Sequence, residues 1–252
     1  MVGFDPPKLF GDLFGARSMS GFESRLPYMI NTPIDTTIDA KKRLLLFWKE
    51  SGVIQDESVL KAFETVPREK FVMSSHKDMA YEDVPLPLIK GQTISQPSTA
   101  SIMTQALELK KGQKVLEVGA GSGYQAALIA NIVGPKGKVV TTEIIPGLAE
   151  LARKNIAAVG IKNVEVHQAD GSIGFPAEAP FDRIIITAAA PKIPEELLQQ
   201  LSEEGIIVAP VAIDDVSFTQ EMIVGKKKNG KVETKSLGYF TFVPLRGKFG
   251  YE

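Results

Sequence analysis

The sequence contains no cysteine. A disulfide framework, a thiol nucleophile and thiolate metal ligation are therefore excluded. Histidine is scarce, with only His76 and His167, so no His-rich metal centre is expected. No apolar run approaches the ~20 residues of a membrane-spanning helix. A basic start followed by an apolar core is also lacking, so the cytoplasm is the expected compartment. Neither sign of charge dominates: 29 Lys and Arg against 30 Asp and Glu leave a net charge of −1. No overall basic field therefore draws nucleic acid or an anionic membrane to the chain. What remains is an ordinary globular composition, 44% hydrophobic and 23% charged, in 252 residues. That length is enough for one α/β core with a small appendage.

The most informative stretch is Val115-Leu116-Glu117-Val118-Gly119-Ala120-Gly121-Ser122-Gly123-Tyr124. An apolar strand pattern runs into three glycines at every second position, and a helical pattern, Ala126 to Val133, follows at once. A strand, a tight turn and a helix start bring free N–H groups and side-chain-free backbone to one point. In an α/β protein that crevice takes a nucleotide-like ligand. From there the elements alternate: strand 138–142, helix 147–158, strand 164–168, strand 183–187, helix 195–201 and strand 205–211. This rhythm predicts a Rossmann-like, doubly wound, mostly parallel sheet. Residues 217–225 and 231–237 flank Asn229-Gly230, a type I′ hairpin signal, so the C-terminal edge should be antiparallel.

Upstream, a helix is expected from Thr36-Thr37 to Gly52 and another from Asp56 to Pro67, forming a helical layer over the catalytic face. Their aromatics, such as Trp48, and Phe71 nearby read as core. Residues 80–97 hold Pro85, Pro87 and Pro97 and are too apolar for a linker, which predicts an ordered loop. A helix from Ser98 to Leu109 should bury Ile102, Met103, Ala106 and Leu107. Residues 1–33 differ, with Pro6-Pro7, scattered glycines and Leu9, Phe10, Leu13 and Phe14 at helical spacing. They are expected to be an extension, possible as a tether to a second copy in a homo-oligomer, on a single domain spanning 34–252.

The glycine pattern is G-x-G-x-G, with Tyr124 where a dinucleotide fingerprint needs glycine. No P-loop Gly-Lys-Ser/Thr follows. A ligand without a pyrophosphate fits this better. Glu143 ends the second strand, where an acid can accept from both ribose hydroxyls. Asp170, with Gly171, ends the third, where it could accept from an adenine amino group. Glycines, ribose acid and adenine acid together describe S-adenosylmethionine, the expected methyl donor.

Five segments then resemble the protein-L-isoaspartate O-methyltransferase family. They are Asp83-Val-Pro-Leu-Pro-Leu, Gly91-Gln92-Thr93-Ile94-Ser95-Gln96-Pro97, Val115 to Gln125, Ile186-Thr187-Ala188-Ala189-Ala190-Pro191 and Phe242-Val-Pro-Leu-Arg246. The resemblance implies repair of damaged proteins, by methylation of the free α-carboxyl of L-isoaspartyl residues. It implies that Ser95 is the active-site serine, aiming that carboxylate at the methyl group. Gln92, Thr93, Ile94, Glu117, Gly119, Gly121, Ser122 and Gly123 would contact the cofactor with Glu143, Asp170 and Gly171. Thr187, Ala188, Ala189 and Ala190, being small, would leave room for the substrate backbone beside Ser95. Such a site needs no metal and no catalytic Cys or His, since a carboxylate is already an anion at neutral pH. Methylation of a small molecule or of RNA, or an inactive binding module, would use the same scaffold. One departure stands out: many family members have Pro-His where this chain has Pro97-Ser98.

Overall fold

A computed structural model of the chain describes residues 36–214 and 219–251. The expected extension, 1–33, and positions 217 and 218 of the expected hairpin lie outside the described residues. Helix α1 spans Thr36–Ser51, and Gly52 follows it at φ +71°. Helix α2 spans Glu57–Thr65; Asp56 caps it by accepting from Ser58 N–H and Val59 N–H. A loop follows, pinned by a two-residue antiparallel pair, β1 (Leu86–Pro87) with β2 (Thr93–Ile94). Helix α3, Pro97–Ala106, starts on its proline.

The alternating part comes next: β3 (Lys114–Val118), α4 (Tyr124–Val133), β4 (Lys138–Glu143), α5 (Pro146–Ala158) and β5 (Val164–Gln168). Then come β6 (Phe181–Ile186), α6 (Glu195–Gln200), β7 (Leu201–Ala212), β8 (Gln220–Lys228) and β9 (Lys231–Phe240). The main sheet has the order β5-β4-β3-β6-β7-β8-β9. Strands β3 to β7 are parallel, and β8 and β9 add an antiparallel edge. Asn229 and Gly230, at φ +52° and +74°, make the two-residue turn of that edge.

The chain winds outward from β3 to β5, then returns to the other side of β3 for β6 and β7. The order reverses between β3 and β6, which opens a crevice at the strands' carboxyl ends. Side-chain alternation builds a core on each face. Val115, Val139 and Ile185 face the α4 side, with Trp48, Phe63 and Phe71 farther out. Leu116, Val140, Ile184 and Ile186 face the α6 side. Both faces are covered, which is why the parallel strands read as near-continuous apolar runs.

Three expectations need correction. Helix α3 does not bury an Ile102–Ala106 stripe: both residues are half-buried, whereas Ser98, Ser101 and Thr104 are buried with Met103. Partners allow this for two of the hydroxyls. Thr104 Oγ accepts from Gln125 Nε2 at 2.7 Å, and Ser98 is bonded on two sides. Strand β7 starts at Leu201 rather than Gly205, because buried Leu201 pairs with Phe181 before a register shift. The helical layer is real, but no residue of α1 or α2 lines the crevice. Helix α2 packs on α3 and α4 and α1 packs on α2, with Trp48 against Phe63 at 4.5 Å and Phe63 against Tyr81 at 5.7 Å. They back the 80–97 loop from behind.

Candidate active site

A cleft at the carboxyl ends of β3, β4 and β6 encloses about 820 Å3, its open mouth included. Its floor is the loop after β3. Gly119 and Ala120 donate their N–H groups to Thr142 O (2.9 and 3.0 Å), which ties that floor to β4. Gly119 has φ +101°, and a Cβ there would lie 2.5 Å from Thr187 Oγ. No L side chain fits that position. Gly121, at φ +53°, opens towards the cleft with Leu88 Cδ1 as its nearest neighbour at 3.9 Å. Gly123 differs. It is absent from the cleft wall and lies against Ile156 and Ala152 O, so it lets α4 approach α5.

Glu143 ends β4 with its side chain turned back onto this loop. Oε2 accepts from Gly121 N–H at 2.9 Å and Oε1 from Ile145 N–H at 3.0 Å. The residue is 6% exposed, yet it lines the cleft. Each oxygen keeps a second lone-pair direction for a ligand hydroxyl. Beside it Ile144 is 38% exposed and offers an apolar face to the same space. Its position after the ribose acid was the only signal it gave in the sequence.

The opposite wall comes from the 80–97 loop. Leu88 N–H donates to Gln92 O at 2.7 Å, and Lys90 and Gly91 turn the chain at φ +60° and +68°. Gln92, Thr93, Ile94 and Ser95 thereby line the cleft across from Gly121 and Ser122. Ser95 itself is half-buried. Behind it Arg68 Nη2 donates to Ser95 O at 2.8 Å. The departure at Ser98 also gains a physical account. Ser98 Oγ accepts from Trp48 Nε1 (2.7 Å) and donates to Asp83 Oδ2 (2.6 Å), while Ser98 N–H donates to Asp83 Oδ1 (2.8 Å). A short hydroxyl here ties α1, the loop and the start of α3 together.

Thr187, Ala188 and Gly171 line the cleft as expected; Glu117, Asp170, Ala189 and Ala190 do not. Glu117 is fully buried, because its strand turns Val118 to the cleft and Glu117 towards the first turn of α4. Burial pushes its carboxyl up to about 8; the Glu143 charge pushes the same way, while Thr141 and the Ala126 N–H oppose. Asp170 uses both oxygens within the chain. Oδ1 accepts from Ser172 N–H (2.9 Å) and Ser172 Oγ (2.6 Å), and Oδ2 accepts from Lys248 N–H (2.8 Å). The room left by Ala189 and Ala190 is filled by this chain's own backbone. Ala189 N–H donates to Val243 O, and Leu245 N–H donates to Ala189 O, both at 2.8 Å. That docking brings Val243, Pro244, Leu245 and exposed Arg246 to the cleft wall, a role that the family likeness of Phe242–Arg246 did not by itself supply.

The fold and cleft define a Rossmann-like nucleotide-cleft protein of the methyltransferase class: side-chain-free floor, acid at the second strand end, no phosphate loop. The protein-L-isoaspartate(D-aspartate) O-methyltransferase family matches residues 39–250. A protein-L-isoaspartate O-methyltransferase of Methanoculleus marisnigri is 46% identical over 212 residues, covering 84% of this chain and 94% of that protein. Protein-L-isoaspartate O-methyltransferase 2 of Archaeoglobus fulgidus is 50% identical over 194 residues, 77% and 87% of the two chains. Among solved structures, a Plasmodium falciparum protein described as a putative protein-L-isoaspartate O-methyltransferase in complex with S-adenosyl-L-homocysteine superposes with TM-score 0.71 at 27% identity. That match covers 82% of this chain and 98% of the other. The chain belongs to the protein-L-isoaspartate(D-aspartate) O-methyltransferase family.

Proposed function

We propose that this chain methylates the free α-carboxyl of L-isoaspartyl residues in damaged proteins, with Ser95 aiming the carboxylate and Glu143 holding the methyl donor. The observation that carries this assignment is that the Gln92–Ser95 loop and the Gly119–Ser122 loop line one cleft. S-adenosylmethionine fits the residues present. Gly119, packed against Thr187, and Gly121, which opens towards the cleft, leave bare backbone on its floor, and Glu143 has free lone pairs for two ribose hydroxyls. Ile144 supplies an apolar face for the nucleoside. When bound, this donor supplies an electrophilic methyl group on a sulfonium.

The protein's part is alignment and exclusion of water. The attacking group is ionised at neutral pH and needs no general base. Ser95 Oγ donates to one carboxylate oxygen and turns the other towards the methyl. Thr187 and Ala188 form the floor beneath the substrate. Asp170 stands outside the cleft lining and, bonded to Ser172 and Lys248, acts on the donor by fixing the segment that walls the cleft. The methyl ester product closes to a succinimide with loss of methanol and reopens in part to normal aspartate. Isoaspartyl polypeptides are thus the partners, without nucleic acid or membrane, and the cytoplasm is the proposed compartment. Among the described residues no helix is long and apolar enough to cross a membrane.

Transfer of labelled methyl to matched isoaspartyl and aspartyl peptides tests this reading. Only the isoaspartyl peptide should be labelled. Ser95→Ala should lose about 100-fold or more in kcat/KM, the scale of a lost alignment. It should still bind S-adenosylmethionine in calorimetry. Normal turnover by Ser95→Ala overturns the role given to that serine.

A further inference from the structure

Arg68 is fully buried. None of the ion pairs among the described residues involves it. Its Nε donates to Ala80 O at 2.7 Å and its Nη2 to Ser95 O at 2.8 Å. Those two carbonyls stand at the two ends of the 80–97 loop. The guanidinium carbon lies over the Tyr124 ring, 4.9 Å from its centre, and Tyr124 lines the same cleft as Ser95. Arg68 Nη1 and the Tyr124 hydroxyl are both buried with no hydrogen-bond partner among the described residues. The acid whose charge acts on Arg68 is Asp83, and its two oxygens are engaged by Ser98.

A buried cation without a bonded counter-ion is unfavourable for folding. A neutral donor could satisfy one carbonyl at less cost, so the charge and the fork need a reason. Arg183, the other buried arginine among the described residues, shows the contrast. Its donors go to the carbonyls of Leu107 and Glu108, which close the end of α3, and of Asp182 on its own strand, none of which lines the cleft. Arg68 instead clips the loop shut at the residue that must meet an anion. Its fork is rigid and spans two acceptors at a fixed angle, which a lysine cannot do. Its positive charge lies one peptide group behind the serine, where it favours a carboxylate over any neutral group.

We propose that Arg68 is the positioning residue of the transfer: it fixes the Ser95 backbone over the glycine loop and supplies the positive charge that the substrate carboxylate meets there. This inference rests on the reading of Ser95 given above. The test is a double-mutant cycle between Arg68 and Ser95 with an isoaspartyl peptide, using Arg68→Lys and Arg68→Met each in wild-type and Ser95→Ala backgrounds. Arg68→Lys should lower kcat/KM by about 10-fold to 100-fold, partly as a raised KM for the peptide. Its S-adenosylmethionine affinity should stay within about threefold of wild type, since the donor is held from the other wall. In the Ser95→Ala background Arg68→Lys, which keeps the charge and loses the fork, should cost less than about threefold, because the route through the serine is already gone. A full, additive loss by Arg68→Lys in that background overturns the inference while leaving Ser95 in place. So does unchanged turnover by both single Arg68 variants. So does loss of donor binding or of cooperative melting in both, since Arg68 would then serve the whole scaffold. Full turnover by Ser95→Ala alone overturns the Ser95 reading and this inference with it.

Discussion

Two acids in adjacent strands, Glu117 and Glu143, have opposite surroundings, and the difference is testable one residue at a time. Glu143 is held by two N–H donors at the edge of the cleft. Glu143→Ala should weaken S-adenosylmethionine binding by about 10-fold to 100-fold in calorimetry, the worth of one or two charge-assisted hydrogen bonds. Glu117 has no hydrogen-bond partner of good geometry among the described residues, and its carboxyl is pushed up to about 8. An unfolded glutamate titrates near 4.3. Between those two values the folded state keeps a proton that the unfolded state has released. Stability therefore falls as pH rises through this window and levels off above about 8. The full effect is on the order of 5 kcal/mol, at 1.36 kcal/mol per pH unit. Glu117→Gln cannot titrate. Urea unfolding at pH 5.5 and pH 8 should show the parent losing several kcal/mol more than the variant, and parallel losses would refute the neutral-acid assignment.

At the scale of elements, the glycine loop and the serine loop respond differently to the same substitution. A Cβ on Gly119 would meet Thr187 Oγ at 2.5 Å with the backbone at φ +101°. A Cβ on Gly91, at φ +68°, meets nothing within 4 Å. Gly91→Ala should therefore cost only the left-handed backbone penalty, about 1 kcal/mol in urea unfolding. Gly119→Ala should cost about 3 kcal/mol through strain and overpacking together, and weaken donor binding as well. Equal losses would remove the close-approach argument for Gly119. The elements behind these numbers were legible in the sequence because their signals are local. Runs rich in β-branched residues mark β3, β4 and β6, Pro97 starts α3, and Asn229-Gly230 turns the edge hairpin. The acids at the ends of β4 and β5 could be placed once the strands were. What Asp170 bonds to could not, since Lys248 is 78 residues away in the chain. The same holds for Arg68 behind Ser95, 27 residues apart, and for the backbone that fills the space beside Ala189. The burial of Glu117 was hidden for another reason: residue type alone does not say which face of a doubly covered sheet a strand position takes.

For the whole molecule, one wall of the cleft comes from residues 243–246, inside the span 39–250 that the family match covers. Segment 242–251 crosses from the Ala189 edge to Asp170, held by Leu245 N–H at one end and by Lys248 N–H and Phe249 N–H at the other. Phe249 N–H donates to Ser172 Oγ at 3.0 Å, and that hydroxyl itself donates to Asp170. One acid thus organises both the turn after β5 and the last wall of the cleft. Every proposed contact for donor and substrate lies between Arg68 and Lys248, inside the matched span 39–250. The relative from Methanoculleus marisnigri is matched over 94% of its own length by this chain. Catalysis should therefore not need residues 1–33. A chain starting at residue 34 is expected to bind S-adenosylmethionine and methylate isoaspartyl peptide with kcat/KM within about twofold of the full chain, as for removal of a terminal extension outside the core. A role in assembly would appear elsewhere. Light scattering should give a lower multiple of the subunit mass for the shortened chain than for the full one, if residues 1–33 tether copies as their sequence suggests. Equal multiples with equal melting would remove the tether, and a loss of turnover on shortening would show that the site extends beyond the family domain.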